Sequence, residues 1–406
     1  MHMLSSACVL GSLKARRIVE TMLAAAPTQA PFIQLLDSDG VRTAHPTWDP
    51  WAQSVDQETL RGFYRDMTTA RRLDDESTAL QRQGELLLWV PLRGQEAAQV
   101  GAGRATRPQD YLFPTYREHA VALTRGVRIA EMLRVFRGIS HGGWDPRTTG
   151  FHHYTMVLAA QTPHAVGYAM GMKRDQKGWD QARIEEEGGA VVAFFGDGSS
   201  SEGDVHEAMV FANSTNAPVV FFCQNNQWAI SVPFEVQSKV PLVNRAAGYG
   251  MPGIRVDGND VIAVHAVTRW ALEHARSGKG PVFIEAVTYR RGAHTTADDP
   301  TKYRTQDEEQ GWDEKDPLLR VERHLRANGT GQDFFGQIAA DADVLAAELR
   351  ATALAFPTPS LTDAFNSVYA EPHSLVSEEL AWYQEYQAGF ADRDEEGTQN
   401  RAEGTR

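Results

Sequence analysis

The chain has 406 residues, of which 42% are hydrophobic, and 53 acidic against 40 basic side chains give it a formal net charge of -13. This length can hold one large α/β domain or two to three domains of ordinary size, with an extensive buried core. The excess of acidic over basic side chains argues against nucleic acid as the main partner, because binding to phosphate backbones needs clustered cations. The sequence has two cysteines, Cys8 and Cys223, so neither a disulfide framework nor a metal knuckle is expected.

The two ends of the chain differ from its middle in composition. Residues 1–50 are predicted to form a partly irregular N-terminal extension, and its basic residues follow the apolar run, which is not the order of a signal peptide. Residues 391–406 are polar and are predicted to be a disordered acidic tail. No segment approaches the roughly 20 apolar residues of a membrane helix. A cytoplasmic protein with its main domain at residues 51–390 is therefore expected.

The first helix is predicted from apolar residues that recur at positions i, i+3, i+4 and i+7, namely Leu60, Phe63, Tyr64 and Met67. A second helix is predicted over residues 117–138. It is followed by a Gly-rich, aromatic stretch over residues 139–154, which is typical of a loop.

From residue 190 onward, strand-like segments alternate with helical ones. Strands are predicted over residues 190–195, 217–224 and 280–290, and helices over residues 202–215 and 263–278. Strands that are apolar on both faces and alternate with helices are typical of parallel sheets. The predicted fold is therefore α/β, with a doubly wound, mostly parallel sheet flanked by helices.

Each of the first two predicted strands is followed by a polar residue. Asp197 follows the first strand between Gly196 and Gly198, and Asn226 follows the second. Because parallel strands deliver their carboxyl ends to one edge of the sheet, the two side chains are expected to converge there. A carboxylate and an amide oxygen suit a hard cation such as Mg²⁺. The segment has no P-loop pattern, and it lacks the Gly and Glu of a calcium loop.

The whole stretch over residues 196–231, "GDGSSSEGDVHEAMVFANSTNAPVVFFCQNNQWAIS", resembles the thiamine-diphosphate motif of GDG followed by NN. It resembles most closely the α subunit of the E1 component of 2-oxo acid dehydrogenase complexes, and the likeness extends over about residues 60–390. The resemblance implies a thiamine-diphosphate-binding fold. It also implies that Mg²⁺ is held by Asp197, Asn226 and the backbone carbonyl of Trp228, where relatives often carry Tyr.

Other segments match the family motif outside this stretch. "YLFPTYREHA" implies that Tyr116 and Arg117 bind the diphosphate, and "VLAAQTPHAVG" implies a backbone contact from Leu158 to the aminopyrimidine. "TYRRGAHTTADDPTKYR" implies that Arg290 and His294 face the cofactor and the incoming lipoyl group. A His of near-neutral pKa could donate a proton there. Ion pairs are expected to tie this loop down through Asp298, Asp299, Tyr303 and Arg304.

The activity that the resemblance implies is oxidative decarboxylation of a small 2-oxo acid, with transfer of the acyl group to lipoamide of E2. The preferred substrate is a branched-chain acid, with pyruvate or an acetoin dehydrogenase α subunit as alternatives. A separate E1 β subunit is expected to complete an α₂β₂ heterotetramer. A nucleotide-binding oxidoreductase is disfavoured because no GxGxxG occurs in the sequence.

Overall fold

The computed structural model describes residues 31–140, 142–357 and 360–403; the predictions for residues 1–30 and 404–406 lie outside them. The chain divides into two compact units after Leu354. The predicted main domain, which ended at residue 390, does not coincide with this division. Among the described residues, no helix is both long and apolar enough to cross a membrane.

The first unit contains a parallel sheet of six strands in the order β1-β7-β8-β4-β3-β2 and a small antiparallel pair, β5-β6. The strands are β1 (Phe32–Ile33), β2 (Tyr111–Phe113), β3 (Val191–Gly196), β4 (Val219–Asn225), β5 (Trp228–Ala229), β6 (Val232–Pro233), β7 (Gly253–Asp257) and β8 (Val282–Val287). The three strands predicted from residue 190 onward are thereby confirmed as β3, β4 and β8.

Helices flank this sheet and also form the second unit. Those of the first unit are α1 (Asp49–Ala52), α2 (Gln57–Arg82), α3 (Glu96–Ala105), α4 (His119–Thr124), α5 (Ile129–Phe136), α6 (Pro146–Thr149), α7 (Gln161–Asp175), α8 (Gln181–Glu187), α9 (Gly203–Thr215), α10 (Phe234–Gln237), α11 (Asn244–Gly248), α12 (Val261–His274), α13 (Gln306–Asp313), α14 (Pro317–Ala327) and α15 (Gln332–Leu354). Those of the second unit are α16 (Leu361–Asn366) and α17 (Ser374–Glu403).

The central strands are covered on both faces, as their apolar sequences predict. Alternate residues of β3 and β4 share one hydrophobic cluster with the buried faces of α7 and α9. The intervening residues are also inaccessible to solvent, namely Val192, Phe194, Val220 and Phe222. Strands that must bury both faces carry nearly continuous apolar runs. The predicted α/β fold with a parallel sheet is therefore confirmed.

The prediction of one continuous helix over residues 117–138 is wrong, because this segment forms two helices, α4 and α5. Gly126 lies between them with φ 77°, a left-handed backbone conformation that ends a helix. Glu131 then accepts a hydrogen bond from the backbone N–H of Arg128, which caps the start of α5. The helical spacing of apolar residues continues through both helices and therefore gives no sign of the break. The local signal for it is Gly126.

The predicted ends of the chain also differ from the structure in part. Within the N-terminal extension, β1 pairs with β7 in the main sheet, and Leu35 and Leu36 are completely buried. The segment that begins at Phe32 is thus part of the first unit. At the other end, the predicted disordered tail is helical as far as Glu403.

The loop before α3 depends on a glycine. Gly94 has φ 95°, and a Cβ at this position would overlap the carbonyl oxygen of Tyr289. We expect Gly94→Ala to lower the free energy of unfolding by at least ~2 kcal/mol, because alanine would suffer both steric overlap and backbone strain. Gly62→Ala is the matched control in α2, since its Cβ meets no atom within 4 Å. Urea unfolding should show the control to be as stable as the wild type or more so.

Asp74 lies buried on α2, where its Oδ1 accepts hydrogen bonds from Trp89 Nε1 (2.8 Å) and Leu92 N (3.0 Å). Burial raises the pKa of Asp74 to about 7. Since this exceeds the ordinary value of 3.8, the stability that Asp74 contributes is complete below about pH 4 and is lost as the pH rises through 7.

Asp74→Asn keeps the Oδ1 acceptor and removes the buried charge. We expect its free energy of unfolding to match the wild type near pH 4 and to exceed it by about 1–3 kcal/mol at pH 8. Urea unfolding at both pH values measures the difference. An equal difference at both would contradict a titrating Asp74.

Candidate active site

The predicted site residues come together at the carboxyl edge of the sheet. Tyr116 and Arg117 follow β2, Asp197 follows β3, Asn226 follows β4 and His294 lies beyond β8. These strands are neighbours in the order β8-β4-β3-β2, so their loops meet along one edge. Ligands of open α/β sheets bind in this position.

A cavity of about 240 Å³ lies between these loops. It is lined by nine of the ten residues predicted for the site and by further polar and apolar groups. The lining residues are Gln95, Thr115, Tyr116, Arg117, Glu118, Leu158, Gly196, Asp197, Gly198, Ser199, Glu202, Gln224, Asn226, Trp228, Ala229, Ile230 and His294. The expectation that Asp197 and Asn226 face one space is therefore confirmed.

Asp197 and Asn226 both line the cavity and contact each other. Asp197 is 2% exposed, and its carboxylate accepts hydrogen bonds from Asn226 N (3.4 Å) and Gln237 Nε2 (3.3 Å). Burial raises the pKa of Asp197 to about 6. Among the described residues, no cluster of three His, Cys, Asp or Glu side chains could hold a metal. A cation at this site would therefore use amide and carbonyl oxygens beside the single carboxylate, a set that suits Mg²⁺.

Arg117 is a buried cation in the same wall. Its guanidinium donates to the carbonyl oxygens of Pro91 (2.5 Å) and His294 (3.0 Å) and to His294 Nδ1 (3.2 Å). Within the described part of the chain, no carboxylate oxygen lies within 4.0 Å of this guanidinium in an ion pair. Burial lowers the pKa of Arg117. A buried charge without a counterion is costly, so this position favours an anionic ligand.

His294 is held as a neutral ring. Burial and the adjacent guanidinium groups of Arg117 and Arg290 lower its pKa to about 3. The expectation of a near-neutral pKa is therefore wrong, because two cations surround a ring removed from water. Since Nδ1 faces the Arg117 donor, the ring proton belongs on Nε2. A neutral imidazole of this kind can donate a hydrogen bond to a ligand without carrying charge.

Arg290 is the one predicted site residue that does not line the cavity. It is completely buried behind the wall, where its guanidinium donates to the carbonyl oxygens of Trp228 (3.0 Å) and Ile230 (2.6 Å) and to Tyr303 Oη (2.9 Å). The structure thus corrects the expectation that Arg290 faces the cofactor. The Trp228 carbonyl keeps a second lone pair, so its use as a cation ligand stays a prediction.

The loop that carries His294 is tied down mainly through backbone atoms. Asp298 accepts a hydrogen bond from His294 N (2.8 Å) and another from the Tyr303 hydroxyl. Arg304 donates to the carbonyl oxygens of Arg290 and Gly292 and pairs with Glu309. The expected ion pairs form at two of the predicted residues, Arg304 with Glu309 and Asp299 with Lys302, whereas Asp298 and Tyr303 fix the loop through hydrogen bonds.

Three non-glycine residues at the site have left-handed backbone conformations. Ala159, next to Leu158, has φ 68°, Gln227 has φ 72° and Ile230 has φ 54°. A β-branched residue rarely adopts this conformation, and such strain persists where the surrounding structure enforces it. Gly198 is also tightly placed, since a Cβ there would lie 2.8 Å from Ala229 Cβ.

Sequence reasoning missed Gln95, Thr115, Glu118 and Gln224. Glu118 is 1% exposed, and it accepts hydrogen bonds from Thr115 N (2.5 Å), Thr115 Oγ1 (2.6 Å) and Gln224 Nε2 (2.5 Å). Gln224 Oε1 and Gln95 Nε2 are buried without a hydrogen-bond partner among the described residues. A sequence signal existed for Gln95, which follows a glycine immediately before a helix in "RGQEA".

These features together fit a diphosphate bound with a divalent cation. The oxygen atoms of Asp197 and Asn226 suit the cation, and the guanidinium of Arg117 suits phosphate. The unpartnered buried amide atoms of Gln95 and Gln224 leave hydrogen-bonding capacity for a ligand.

Comparison with known proteins identifies the family of this chain. Residues 64–334 match the family described as Dehydrogenase E1 component. The 3-methyl-2-oxobutanoate dehydrogenase subunit alpha of Mycobacterium tuberculosis (strain ATCC 25618 / H37Rv) is 46% identical over 341 residues, which cover 84% of this chain and 89% of that protein. Pyruvate dehydrogenase E1 component subunit alpha of Staphylococcus aureus (strain COL) is 36% identical over 306 residues, which cover 74% and 79%. The chain therefore belongs to the dehydrogenase E1 component family.

Proposed function

We propose that this chain is the α subunit of an E1 component that oxidatively decarboxylates a 2-oxo acid and passes the acyl group to lipoamide of an E2 acyltransferase. A branched-chain acid is the favoured substrate, because the relative named for 3-methyl-2-oxobutanoate is 46% identical. Pyruvate is the second candidate, because the relatives named for it are 36% identical. The observation that carries the proposal is one cavity that unites buried oxygen ligands with a buried guanidinium lacking a carboxylate partner among the described residues.

The proposed cofactors are thiamine diphosphate and Mg²⁺. Asp197, Asn226 and the Trp228 carbonyl would hold the cation, and Tyr116 and Arg117 would bind phosphate oxygens. When bound, thiamine diphosphate supplies the electron sink that allows a 2-oxo acid to lose CO₂.

The other side chains of the cavity would orient and shield the reaction. His294 would donate a hydrogen bond from Nε2 to charge that develops during transfer of the acyl group. Leu158 would contact the aminopyrimidine through its backbone, and its apolar side chain would exclude water together with Ile230. Arg290 would act from behind the wall by holding the carbonyl groups of Trp228 and Ile230 in place.

The proposed partners are an E1 β subunit, in an α₂β₂ heterotetramer, and the lipoyl-bearing E2. Support for a covering subunit comes from the cavity mouth, where Leu158 is 42% and Ile230 52% exposed. Val157, adjacent in sequence, is also exposed. Exposed apolar side chains grouped around one cavity are typical of protein interaction surfaces.

A decarboxylation assay tests the proposed function. The chain is co-expressed with its β subunit and supplied with thiamine diphosphate, Mg²⁺ and an artificial electron acceptor. A higher kcat/KM for 3-methyl-2-oxobutanoate than for pyruvate supports the branched-chain assignment, and the reverse supports the pyruvate enzyme. Turnover of acetoin instead of either acid would overturn the proposed reaction, and full activity without the β subunit would overturn the proposed assembly.

A further inference from the structure

Gln95 occupies the N-cap position of α3, where the shorter side chains of Ser, Thr, Asp or Asn commonly cap a helix. It is the residue that precedes α3, yet its side chain makes no hydrogen bond to the first turn of that helix. It is 1% exposed and lies in the cavity wall. The Gln95 side chain is therefore free to contact the site.

The partner of Gln95 is Asn226. Asn226 Nδ2 donates to Gln95 Oε1 at 3.4 Å, and Asn226 Oδ1 accepts from the backbone N–H of Trp228 at 3.3 Å. These two contacts fix opposite ends of the same amide. A rotated amide would turn Nδ2 towards the Trp228 N–H, which is also a donor, and would leave Gln95 Oε1 facing an oxygen.

The orientation of this amide matters for a cation. Mg²⁺ binds oxygen and demands near-ideal geometry, so an NH₂ group turned towards it is repelled. Groups that orient a metal ligand through hydrogen bonds commonly change metal affinity when they are lost. An acceptor on Nδ2 is thus the simplest means of keeping Oδ1 available.

We propose that Gln95 is a positioning residue that orients the Asn226 amide for cation binding by accepting a hydrogen bond from Asn226 Nδ2. This inference rests on the proposed function, because that function supplies the cation. The position of Gln95 is itself fixed by the backbone, since Gln95 N donates to Leu92 O at 3.0 Å and the preceding Gly94 packs against the Tyr289 carbonyl.

Two substitutions separate the acceptor atom from the shape of the side chain. Gln95→Met keeps an unbranched side chain of similar length and removes the acceptor oxygen. Gln95→Glu keeps an oxygen that can accept from Asn226 Nδ2. The full 406-residue chain is prepared with its β subunit, and calorimetry measures Mg²⁺ affinity at saturating thiamine diphosphate, then thiamine diphosphate affinity at saturating Mg²⁺.

We expect Gln95→Met to weaken Mg²⁺ binding by about 10- to 100-fold, while thiamine diphosphate affinity at saturating Mg²⁺ stays near that of the wild type. Gln95→Glu should restore Mg²⁺ affinity to the wild-type level or above it. If Gln95→Met fails to fold, Gln95→Leu takes its place, and thermal unfolding without ligands confirms that each variant is folded.

Wild-type affinity for Mg²⁺ in Gln95→Met would overturn the inference and leave the proposed function intact. A loss in Gln95→Glu as large as in Gln95→Met would also overturn it, since the acceptor oxygen would then be irrelevant. Failure of the wild type itself to bind thiamine diphosphate with Mg²⁺ would instead contradict the proposed function.

Discussion

Replacing Asp197 with alanine is expected to weaken Mg²⁺-dependent binding of thiamine diphosphate by at least about a hundredfold, because truncating one partner of a buried charged contact costs roughly 3 kcal/mol or more. Asp197 is the carboxylate that stands beside the Asn226 amide, and no protein cation neutralises it in an ion pair among the described residues. Calorimetric titration of thiamine diphosphate with and without Mg²⁺ measures the loss.

Stability measurements separate this effect from misfolding. Because burial already raises the pKa of Asp197, its charged form destabilises the ligand-free fold, and Asp197→Ala should unfold at the same temperature as the wild type or higher. Asp204→Ala is the matched control, an exposed acid seven positions further along the chain that does not line the cavity. Tight Mg²⁺-dependent binding in Asp197→Ala would refute the metal assignment.

His294→Ala is expected to lower the rate of acyl transfer to a lipoyl domain by about 10²- to 10³-fold, the usual cost of removing one hydrogen-bond donor that is positioned at developing charge. Cofactor affinity should change much less, because Arg117 still donates to the carbonyl oxygens of Pro91 and residue 294. The assay compares turnover with a lipoyl domain against turnover with an artificial acceptor, using the assembled protein.

A conservative substitution gives this experiment its control. His294→Gln supplies a neutral amide donor in place of the neutral imidazole, and we expect it to recover part of the lost transfer rate. Analytical ultracentrifugation should show the same assembly for the wild type and both variants. Full transfer activity in His294→Ala would remove His294 from the proposed reaction.

The sequence predicted those parts of the fold that are local and periodic. The strands and the helix of the β3-α9-β4 unit were all predicted, and α9 buries Val205, Ala208, Met209 and Ala212. The convergence of Asp197 and Asn226 followed from the geometry of parallel strands alone. The break at Gly126 was missed because hydrophobic periodicity continues on both sides of it.

The site was predicted less completely because several of its contacts join distant parts of the chain. Gln95 and Asn226 are separated by 131 positions, and Gln224 and Glu118 by 106. No spacing rule connects such pairs, and isolated glutamines carry no signal of burial. The position of Arg290 was wrong for the same reason, since its acceptors are carbonyl groups about 60 positions away.

The residues with left-handed backbone conformations around β5 affect the kinetics of ligand binding. Gln227 and Ile230 adopt these conformations in a segment that the fold itself holds in place, because Arg290 donates to the carbonyl groups of Trp228 and Ile230. A cation bound at the Trp228 carbonyl would therefore contact a backbone segment that Arg290 holds in place, with little loss of chain entropy on binding. Association at this wall should therefore need little backbone rearrangement. Differences in affinity among variants should lie mainly in the dissociation rate of the ligand.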